Sequence, residues 1–271
     1  MYSASKILLG IVLIGSATFL RAQTAELRVC ADPNNLPFSN QREEGFENKL
    51  AHLIARDLGR KVHYVWWPQR RGFIRNTLKA KRCDVVMGIP ASYELAQPTR
   101  AYYRSTYVFV TRRDRHIAIR SFDDPALRNL RIGLHAIGDD YANVPPAQAL
   151  ARRGITRNIV GYSIYGDYSK ENPPADLINA VARGDVDIAI AWGPLAGYFA
   201  AHANVPLNVV PVSPEIDARL PFVFDISLGV RREDAAFRNE LDKILVRRKP
   251  EIDRLLQRYG VPMKRLAAEA H

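Results

Sequence analysis

Apolar and polar positions follow two different periods along the first part of the chain. The run Leu27–Ala31 is short and apolar, as in a buried strand, and apolar positions then repeat at helical spacing from Phe46 to a stop at Gly59. A second strand at 62–67 (VHYVWW), a loop and helix at 68–82 (PQRRGFIRNTLKAKR) and a third strand at 84–88 (DVVMG) follow. Strands and helices that alternate in this order predict a parallel sheet with right-handed crossovers.

The same order of elements returns in the second part of the chain. The pattern predicts a strand at 129–134 (NLRIGL), a helix opened by Pro145 and closed by Gly154, a strand at 158–165 (NIVGYSIY), and a helix followed by a buried strand at 173–194. Two lobes of like construction are therefore expected. A shared stretch, KRCDVVMGIP in the first lobe and RGDVDIAIAWGP in the second, supports this, with a chance match of so short a stretch as the alternative.

Two extended segments join the predicted lobes. The segment 101–115 (AYYRSTYVFVTRRDR) is rich in aromatic and β-branched residues without helical period, and a second extended segment, 207–230, leads back to two C-terminal helices. We predict an α/β fold of two lobes, each a mostly parallel sheet flanked by helices. The predicted limits are 26–111 plus 213–271 for lobe 1 and 112–212 for lobe 2.

The first 25 residues have the pattern of an export signal. Lys6 precedes an uncharged stretch at 7–20, and small residues follow at Ala22 and Ala25. A membrane anchor is the alternative, but the stretch is shorter than the roughly 20 apolar residues that span a bilayer. We expect a cleaved signal peptide (1–25), with the site of cleavage open, and no stable membrane insertion.

The chain is basic. Its 39 Lys and Arg residues against 28 Asp and Glu residues give a formal charge of +11, which falls to +9 when the predicted signal is removed with Lys6 and Arg21. Such an excess favours acidic partners or anionic surfaces. Because the basic residues are scattered among acids and no RNA-binding motif is present, no nucleic acid partner is predicted.

Two cysteines, Cys30 and Cys83, occur in a chain predicted to enter an oxidising compartment. An even pair there suggests a disulfide. The alternative is two buried thiols, because Cys30 lies late in its strand and Cys83 just before its own, an offset that can exceed the separation a disulfide tolerates. The sequence leaves both open.

Candidate binding residues follow the predicted strands, because open α/β sheets bind ligands at the carboxyl ends of their strands. An aromatic and cationic group follows the second strand, and aromatic and apolar residues end the third strand and its counterpart in the second lobe. The predicted cleft residues are Asp32, Asn34, Asn35, Phe38, Trp66, Trp67, Gln69, Arg70, Met87, Ile89, Tyr103, Asp139, Trp192 and Gly193.

Several of these residues have a structural explanation as well. Asp32 and the two asparagines close turns by their own side chains, Met87 is the kind of residue that fills a core, and one of the two neighbouring tryptophans is expected in the core because neighbours in a strand face opposite ways. Asp139 and its neighbour Asp140 are typical helix caps.

Catalytic and metal-binding patterns do not occur. The six histidines are dispersed, and neither HExxH nor a Gly-x-Ser-x-Gly elbow nor a Gly-rich phosphate loop is present. Asp139, Asp140 and Asp167 could supply oxygen ligands, but their spacing matches no calcium loop. We therefore predict a protein that is not an enzyme and has no metal and no cofactor.

A family resemblance covers essentially the whole mature chain. The stretches LRVCADPNNLPFS, GFENKL, CDVVMG, YYRSTYVFV, VARGDVDIAI and SLGVRREDAAFRNELDKIL resemble, in order, those of type II periplasmic solute-binding proteins. Within that superfamily WWPQRRGF, IGDDYANVPPA and AWGPLAGYFA are similar to one subgroup, the binding-protein-like accessory proteins of quinoprotein alcohol dehydrogenases, or J component encoded beside methanol dehydrogenase. The resemblance implies a two-lobed fold, a periplasmic location, and a dehydrogenase as partner.

The chain departs from amino-acid carriers of this superfamily at two positions. Such carriers bind the ligand carboxylate with an Arg after the third strand and its ammonium with an Asp at the end of the second-lobe strand, where this chain has Leu95 and Trp192. We therefore expect no free amino acid as ligand. The resemblance implies an accessory factor that assists maturation or activation of a quinoprotein methanol or alcohol dehydrogenase; the alternative is a transporter's receptor for a small aromatic or apolar solute.

Overall fold

The structure, a computed structural model, describes residues 25–136, 144–163 and 168–266. Its strands are β1 (Glu26–Ala31), β2 (Asn34–Asn35), β3 (Ser39–Asn40), β4 (Lys61–Trp66), β5 (Val85–Pro90), β6 (Gln97–Arg112), β7 (Ile132–Ala136), β8 (Ile159–Ser163), β9 (Ile188–Trp192), β10 (Leu207–Pro211), β11 (Ile216–Asp217), β12 (Leu220–Pro221), β13 (Val223–Val230) and β14 (Met263–Lys264). Its α-helices are α1 (Phe46–Asp57), α2 (Phe73–Asn76), α3 (Pro145–Arg152), α4 (Asp176–Arg183), α5 (Gly193–Ala201), α6 (Ala235–Arg247) and α7 (Lys249–Arg258).

One mixed sheet runs through the described part of both lobes, in the order β4, β1, β5, β13, β6, β9, β7, β8, with β10 and β14 also paired to β6. Strand β1 is parallel to β4 and β5, and β7 is parallel to β8 and β9, so each lobe contains three parallel strands. This is the predicted α/β fold, in which helices cover a mostly parallel sheet.

The long strand β6 connects the two lobes. Its first part pairs with β13 as far as Thr106, and its second part pairs with β9 from Tyr107 to Thr111. The hairpin of β11 and β12 brings Leu220 and Phe222 into the same buried cluster as Leu150 of α3. We therefore propose that the chain returns to lobe 1 near Phe222 instead of at residue 213; the predicted limits of the lobes stay a prediction.

Apolar side chains cover both faces of the sheet in each lobe. In lobe 1 the larger cluster joins α1, α6 and α7 to the sheet through residues such as Leu50, Leu228 and Leu256. In lobe 2 the corresponding residues of β9 and α4, such as Ala189 and Leu177, are fully buried. Burial on both faces explains why the parallel strands are apolar runs without alternation.

The two cysteines form a disulfide. Cys30 of β1 and Cys83, which precedes β5, have Cα atoms 5.5 Å apart, within the range that a disulfide spans. The strands are parallel neighbours, as the sequence predicted, with Cys30 opposite Val86. The offset of Cys83 from that position therefore does not prevent the bond, and the alternative of two free thiols is excluded.

The predicted helix in 68–82 is a single turn, α2, followed by turns. It ends at Thr77, whose backbone N–H and hydroxyl both donate to the Phe73 carbonyl, at 3.0 Å and 2.6 Å, and whose backbone leaves the helical region at φ −118° and ψ −82°. Helix α5 was not predicted, because the stretch from Gly193 is apolar without helical period. No helix within the described ranges is both long and apolar enough to cross a membrane.

Candidate binding cleft

A cavity of about 210 Å³ opens where the carboxyl ends of the parallel strands of both lobes meet. Lobe 1 contributes residues that follow β1 and β4, the end of β5, the first turn of α1 and one residue each of β6 and β13. Lobe 2 contributes the ends of β7 and β9 and the start of α5. The lining residues are Asn35, Phe38, Glu47, Gln69, Gly88, Ile89, Pro90, Tyr103, His135, Trp192, Leu195 and Ile226.

Aromatic rings form much of the cavity wall. The Trp192 ring lies 5.5 Å from that of Tyr107 and 5.9 Å from that of Phe224, both edge to face. Phe38 packs edge to face on Phe46, with ring centroids 5.4 Å apart. Such contacts hold the rings in place, so the wall is apolar and preformed.

Helix α1 places Glu47 in the cavity. The turn after β1 receives the start of the helix, because the backbone N–H of Glu47 donates to the Phe38 carbonyl at 3.0 Å and Gly45 packs where a Cβ would strike that carbonyl. A Cβ on Gly88 would likewise strike the Glu47 carboxyl group, so glycine makes room for it. The sequence places an acid in the first turn of a helix, and the fold directs it into the cleft.

Glu47 has no ion-pair partner among the residues that the structure describes. Burial in this apolar environment raises the pKa of Glu47 to about 8, because the charged form loses its hydration. At neutral pH the group is therefore mostly a neutral carboxylic acid. No described Lys or Arg lines the cavity, so the cationic half of a zwitterion clamp is missing within the described ranges.

His135 reaches the same cavity from lobe 2. Its side chain is only 6% exposed, and burial lowers its pKa to about 4, against the opposite effect of a hydrogen bond to the Pro174 carbonyl. The Nε2 atom has no partner among the described residues, so the bond to Pro174 uses Nδ1 and leaves Nε2 as a lone-pair acceptor. The imidazole is neutral at physiological pH.

The two lobes touch beside the cavity. The Tyr168 hydroxyl of lobe 2 donates to Asp32 Oδ2 at 2.8 Å, and Asp32, only 3% exposed, also accepts from the backbone N–H groups of Asn34 and Gln69. Burial, and then the bond to Asp32, raise the pKa of Tyr168. The Asn34 amide donates to the Lys170 carbonyl at 2.8 Å. We call these contacts the lobe bridge.

A second cavity of about 500 Å³ continues the cleft along lobe 1 and shares Gln69, Gly88, Ile89 and Pro90 with the first. Leu95 lines it and is 49% exposed. Its cationic lining residues are Arg70, Arg71, Arg75 and Lys79. The cleft thus has an inner, apolar part with acceptor groups and an outer, basic part.

The structure brings six of the predicted cleft residues into the inner cavity and three to its margin. The six are Asn35, Phe38, Gln69, Ile89, Tyr103 and Trp192. Asp32 and Asn34 belong to the lobe bridge, and Arg70 lies over the Tyr168 ring at 5.4 Å and lines the outer cavity. Asp139 lies outside the described residues, as do Asp140 and Asp167.

Four predicted cleft residues do not line the cavity. Met87 is 1% exposed and packs in the core of lobe 1, because its position in β5 faces the helices. Gly193 is buried where a Cβ would strike the Thr106 carbonyl, so it permits close packing of α5 on β6. Trp66 stacks on Tyr64 at 4.5 Å, and Trp67 packs beside the disulfide cluster under Arg82; both are half-buried, so neither lies fully in the core.

Five lining residues were missed: Glu47, Pro90, His135, Leu195 and Ile226. Gly88 ends the third strand predicted to face the cleft and lines it, and Pro90 follows the predicted Ile89, so the sequence points to this end of β5. Glu47 gave no signal, since an acid in a first helical turn is ordinary. None of the described residues forms a group of three or more His, Cys, Asp or Glu side chains suited to a metal ion.

Two lobes that share a mixed sheet and enclose a cleft at their strand ends define a solute-binding protein of the periplasmic type. The comparison with protein families agrees over nearly the whole chain. Residues 27–262 match the model of the bacterial extracellular solute-binding proteins, family 3, and the chain belongs to that family.

Three relatives within this family show which kind of binding protein the chain resembles. The chain is 34% identical to the periplasmic binding protein XoxJ of Methylobacterium extorquens AM1, covering 89% of this chain and 100% of XoxJ with a TM-score of 0.73. It is 29% identical to protein MoxJ of Methylorubrum extorquens, over 92% of this chain and 85% of MoxJ. The chain is also 27% identical to MxaJ from Methlophaga aminisulfidivorans MPT, over 88% of this chain and 100% of MxaJ. The comparison with the crystal structure of MxaJ gives a TM-score of 0.77. The chain is therefore a binding protein of the MoxJ and XoxJ type.

Proposed function

We propose that this chain is a periplasmic accessory protein, without catalytic activity of its own, that associates with a quinoprotein methanol or alcohol dehydrogenase and assists its maturation or activation. The similarity to XoxJ, MoxJ and MxaJ over most of their lengths supports this proposal. So does the sequence resemblance to the J component encoded beside methanol dehydrogenase.

The observation that carries the proposal is the absence of a zwitterion clamp from the described part of the cleft. Leu95 and Trp192 stand where carriers have their Arg and Asp, and both line the cleft. No described cation lines the inner cavity. A free amino acid would leave its carboxylate desolvated and unpaired there, at a cost of several kcal/mol.

The cleft fits a segment of a larger partner. Its inner part offers fixed aromatic rings and its outer part offers Arg70, Arg71, Arg75 and Lys79, continuous through shared lining residues. Burial of an apolar segment supplies affinity, and the basic outer part steers an acidic partner toward the cleft. A net positive formal charge of the whole chain acts in the same direction.

Co-purification tests the proposal. The tagged, full-length chain is expressed with the dehydrogenase, which is identified by mass and by its quinone absorbance. We expect recovery with the wild type and reduced recovery with Trp192→Ala and Arg70→Ala. Val246→Ala, an exposed apolar position on α6 far along the chain from the cleft residues, serves as the control and should leave recovery unchanged. Recovery of no dehydrogenase with the wild-type chain contradicts the proposal. Equal recovery by all four proteins, each checked for unchanged folding by circular dichroism, contradicts binding through the cleft.

A solute receptor is the second candidate, because the lobe bridge shows the two lobes in contact beside the inner cavity. Such a receptor should show a thermal shift with one small aromatic or apolar solute, since binding to the native state raises its stability. A shift with such a solute, together with no recovery of dehydrogenase, would favour this candidate.

A further inference from the structure

Two polar side chains at the inner cavity, one from each lobe, have no hydrogen-bond or ion-pair partner among the described residues. They are the carboxyl group of Glu47, which is half-buried, and the Nε2 atom of His135, which is buried. The amides of Asn35 and Gln69 pair with each other, since the Asn35 amide nitrogen donates to the Gln69 carbonyl oxygen at 3.2 Å. Buried polar groups are almost always paired in native proteins, so the unpaired His135 Nε2 with an unpaired carboxyl group at the same cavity points to a ligand.

The chemistry of the two groups fits a cationic donor. The bond to the Pro174 carbonyl leaves a lone pair on His135 Nε2, and Glu47 becomes a pure acceptor when a nearby positive charge restores its ionised form. A cation with at least two N–H donors therefore satisfies both groups, and its charge strengthens the bond to Glu47. Among biological cations, guanidinium combines several donors in one plane with weak hydration and a flat face that stacks on aromatic rings.

We propose that Glu47 and His135 form a subsite that binds a guanidinium group carried on an apolar stem, with the stem against the rings of Phe38, Tyr103 and Trp192. The subsite deepens the proposed function and rests on it for the source of the ligand, an arginine side chain of the dehydrogenase segment that enters the cleft.

The lining of the inner cavity favours an arginine side chain over the free amino acid. A free arginine would bring a carboxylate, for which no described Lys or Arg lines the inner cavity. An arginine within a polypeptide has no such group, and its stem fits the aromatic wall.

Binding at this subsite depends on pH. Burial raises the pKa of Glu47 to about 8, so the free protein must release a proton before Glu47 can pair with a cation at neutral pH. The titratable groups that face Glu47 are Tyr64 of β4, Tyr102 and Tyr103 of β6, and His135 across the cavity; burial raises the tyrosine pKa values and lowers that of His135, which keeps all four neutral. Affinity for a guanidinium should therefore rise between pH 6 and pH 8.

Butylguanidinium and butylurea test the subsite directly, because the two probes share shape and stem and differ in charge. We expect the full-length protein to bind butylguanidinium at millimolar or lower concentration in calorimetry and to bind butylurea at least about tenfold more weakly, the value of a charge-assisted hydrogen bond. Glu47→Gln should weaken butylguanidinium binding by about tenfold or more and leave butylurea unchanged. His135→Phe should weaken both.

Glu240→Gln is the matched control, because it makes the same chemical change at an exposed position on α6. It should leave the affinity for butylguanidinium unchanged. Equal binding of butylguanidinium and butylurea, no binding of either probe, or equal affinities in wild type and Glu47→Gln would overturn the proposal. Circular dichroism of each variant confirms that the comparison is made between folded proteins.

A second arm separates this inference from the proposed function. If the dehydrogenase is recovered equally by the wild type and Glu47→Gln but is lost with Trp192→Ala, the result contradicts the proposed subsite and supports the accessory role. Butylguanidinium binding that depends on Glu47, with no dehydrogenase recovered by any variant, would uphold the subsite and assign it to a free guanidinium-bearing solute.

Discussion

The two ends of helix α1 carry acids in opposite situations. At the C-terminal end the Asp57 side chain is 6% exposed, and its carboxylate accepts hydrogen bonds from Arg248 at 2.5 Å and from Arg247 at 2.6 Å. These bonds, that of Arg248 first, lower the pKa of Asp57 to about 2. At the N-terminal end Glu47 faces the cleft without a described cation, and burial raises its pKa to about 8.

The difference in partners distinguishes an acid with a structural role, Asp57, from an acid available for binding, Glu47, on the same helix. Asp57 has partners within the chain, and its ion pairs fasten α1 to the junction of α6 and α7. Glu47 lacks such partners among the described residues, so its burial costs stability, and a group retained at a cost is a candidate for binding. The residue type alone does not distinguish the two; the partners that the fold supplies do.

The largest expected effect is at the paired end. Asp57→Asn should lower the free energy of unfolding by about 2 kcal/mol, because it leaves Arg247 without its counter-charge and Arg248 with only the more exposed Glu251. Urea unfolding at pH 7 measures this. Asp253→Asn removes a more exposed partner, of Lys249 on α7, and should cost less than about 0.5 kcal/mol. Similar losses in both variants would refute the distinction drawn for Asp57.

The next effect has the opposite sign, at the unpaired end. Glu47→Gln should raise the free energy of unfolding by about 1 to 2 kcal/mol at pH 7. Because the pKa of Glu47 is raised in the folded state, the carboxyl group ionises when the wild-type protein unfolds, and this ionisation stabilises the unfolded state. Glutamine fills the same space without an ionisation. A loss of stability in this variant would show that the Glu47 carboxyl has a partner in the folded chain.

The pH profile of unfolding sharpens the comparison. Since the folded pKa of Glu47 is raised, its contribution to wild-type stability falls as the pH rises from about 4.5 to about 8. Since the folded pKa of Asp57 is lowered, its contribution is complete above about pH 4 and is lost as the pH falls toward 2. Glu47→Gln should flatten the first slope only and Asp57→Asn the second only, in urea unfolding across this range.

The smallest effect concerns Asp32, an acid at the cleft that has partners from both lobes. Tyr168→Phe removes one of its three hydrogen bonds and should cost about 1 kcal/mol or less. Hydrogen exchange should speed up at 168–172 and hardly change elsewhere, because the other two bonds hold Asp32 in lobe 1. Tyr162→Phe on β8 is the control. Exchange that is unaltered at 168–172 would show that Tyr168 does not hold the lobes together.

Much of the fold could be predicted because strands buried on both faces and helices with one apolar face leave clear periods in the sequence. The α1 positions from Phe46 to Gly59 and the run before Trp192 are examples. Helix α5 was not predicted because it is apolar on nearly every side. Helix α2 is a single turn because the backbone leaves the helical region at Thr77, and such a local departure has no periodic signature in the sequence.

The sequence predicts only those residues of the cleft that lie at or just after the ends of strands. Phe38, Ile89 and Trp192 follow from topology, since they end strands or the turns after them. Glu47 and His135 depend on which way a helix start and a strand end face after the two lobes meet, and on the lack of partners there. Long-range packing determines both, and no local pattern carries that information.

Calorimetric proton counting tests the central claim most directly. When butylguanidinium binds at pH 7, titrations in two buffers of different ionisation enthalpy should show the release of about 0.9 proton, the fraction of Glu47 that is protonated at a pKa of about 8. Glu47→Gln should release none. Binding of butylguanidinium to the wild-type protein without proton release would contradict the account, because the acid at the cleft would then not be the group that receives the cation.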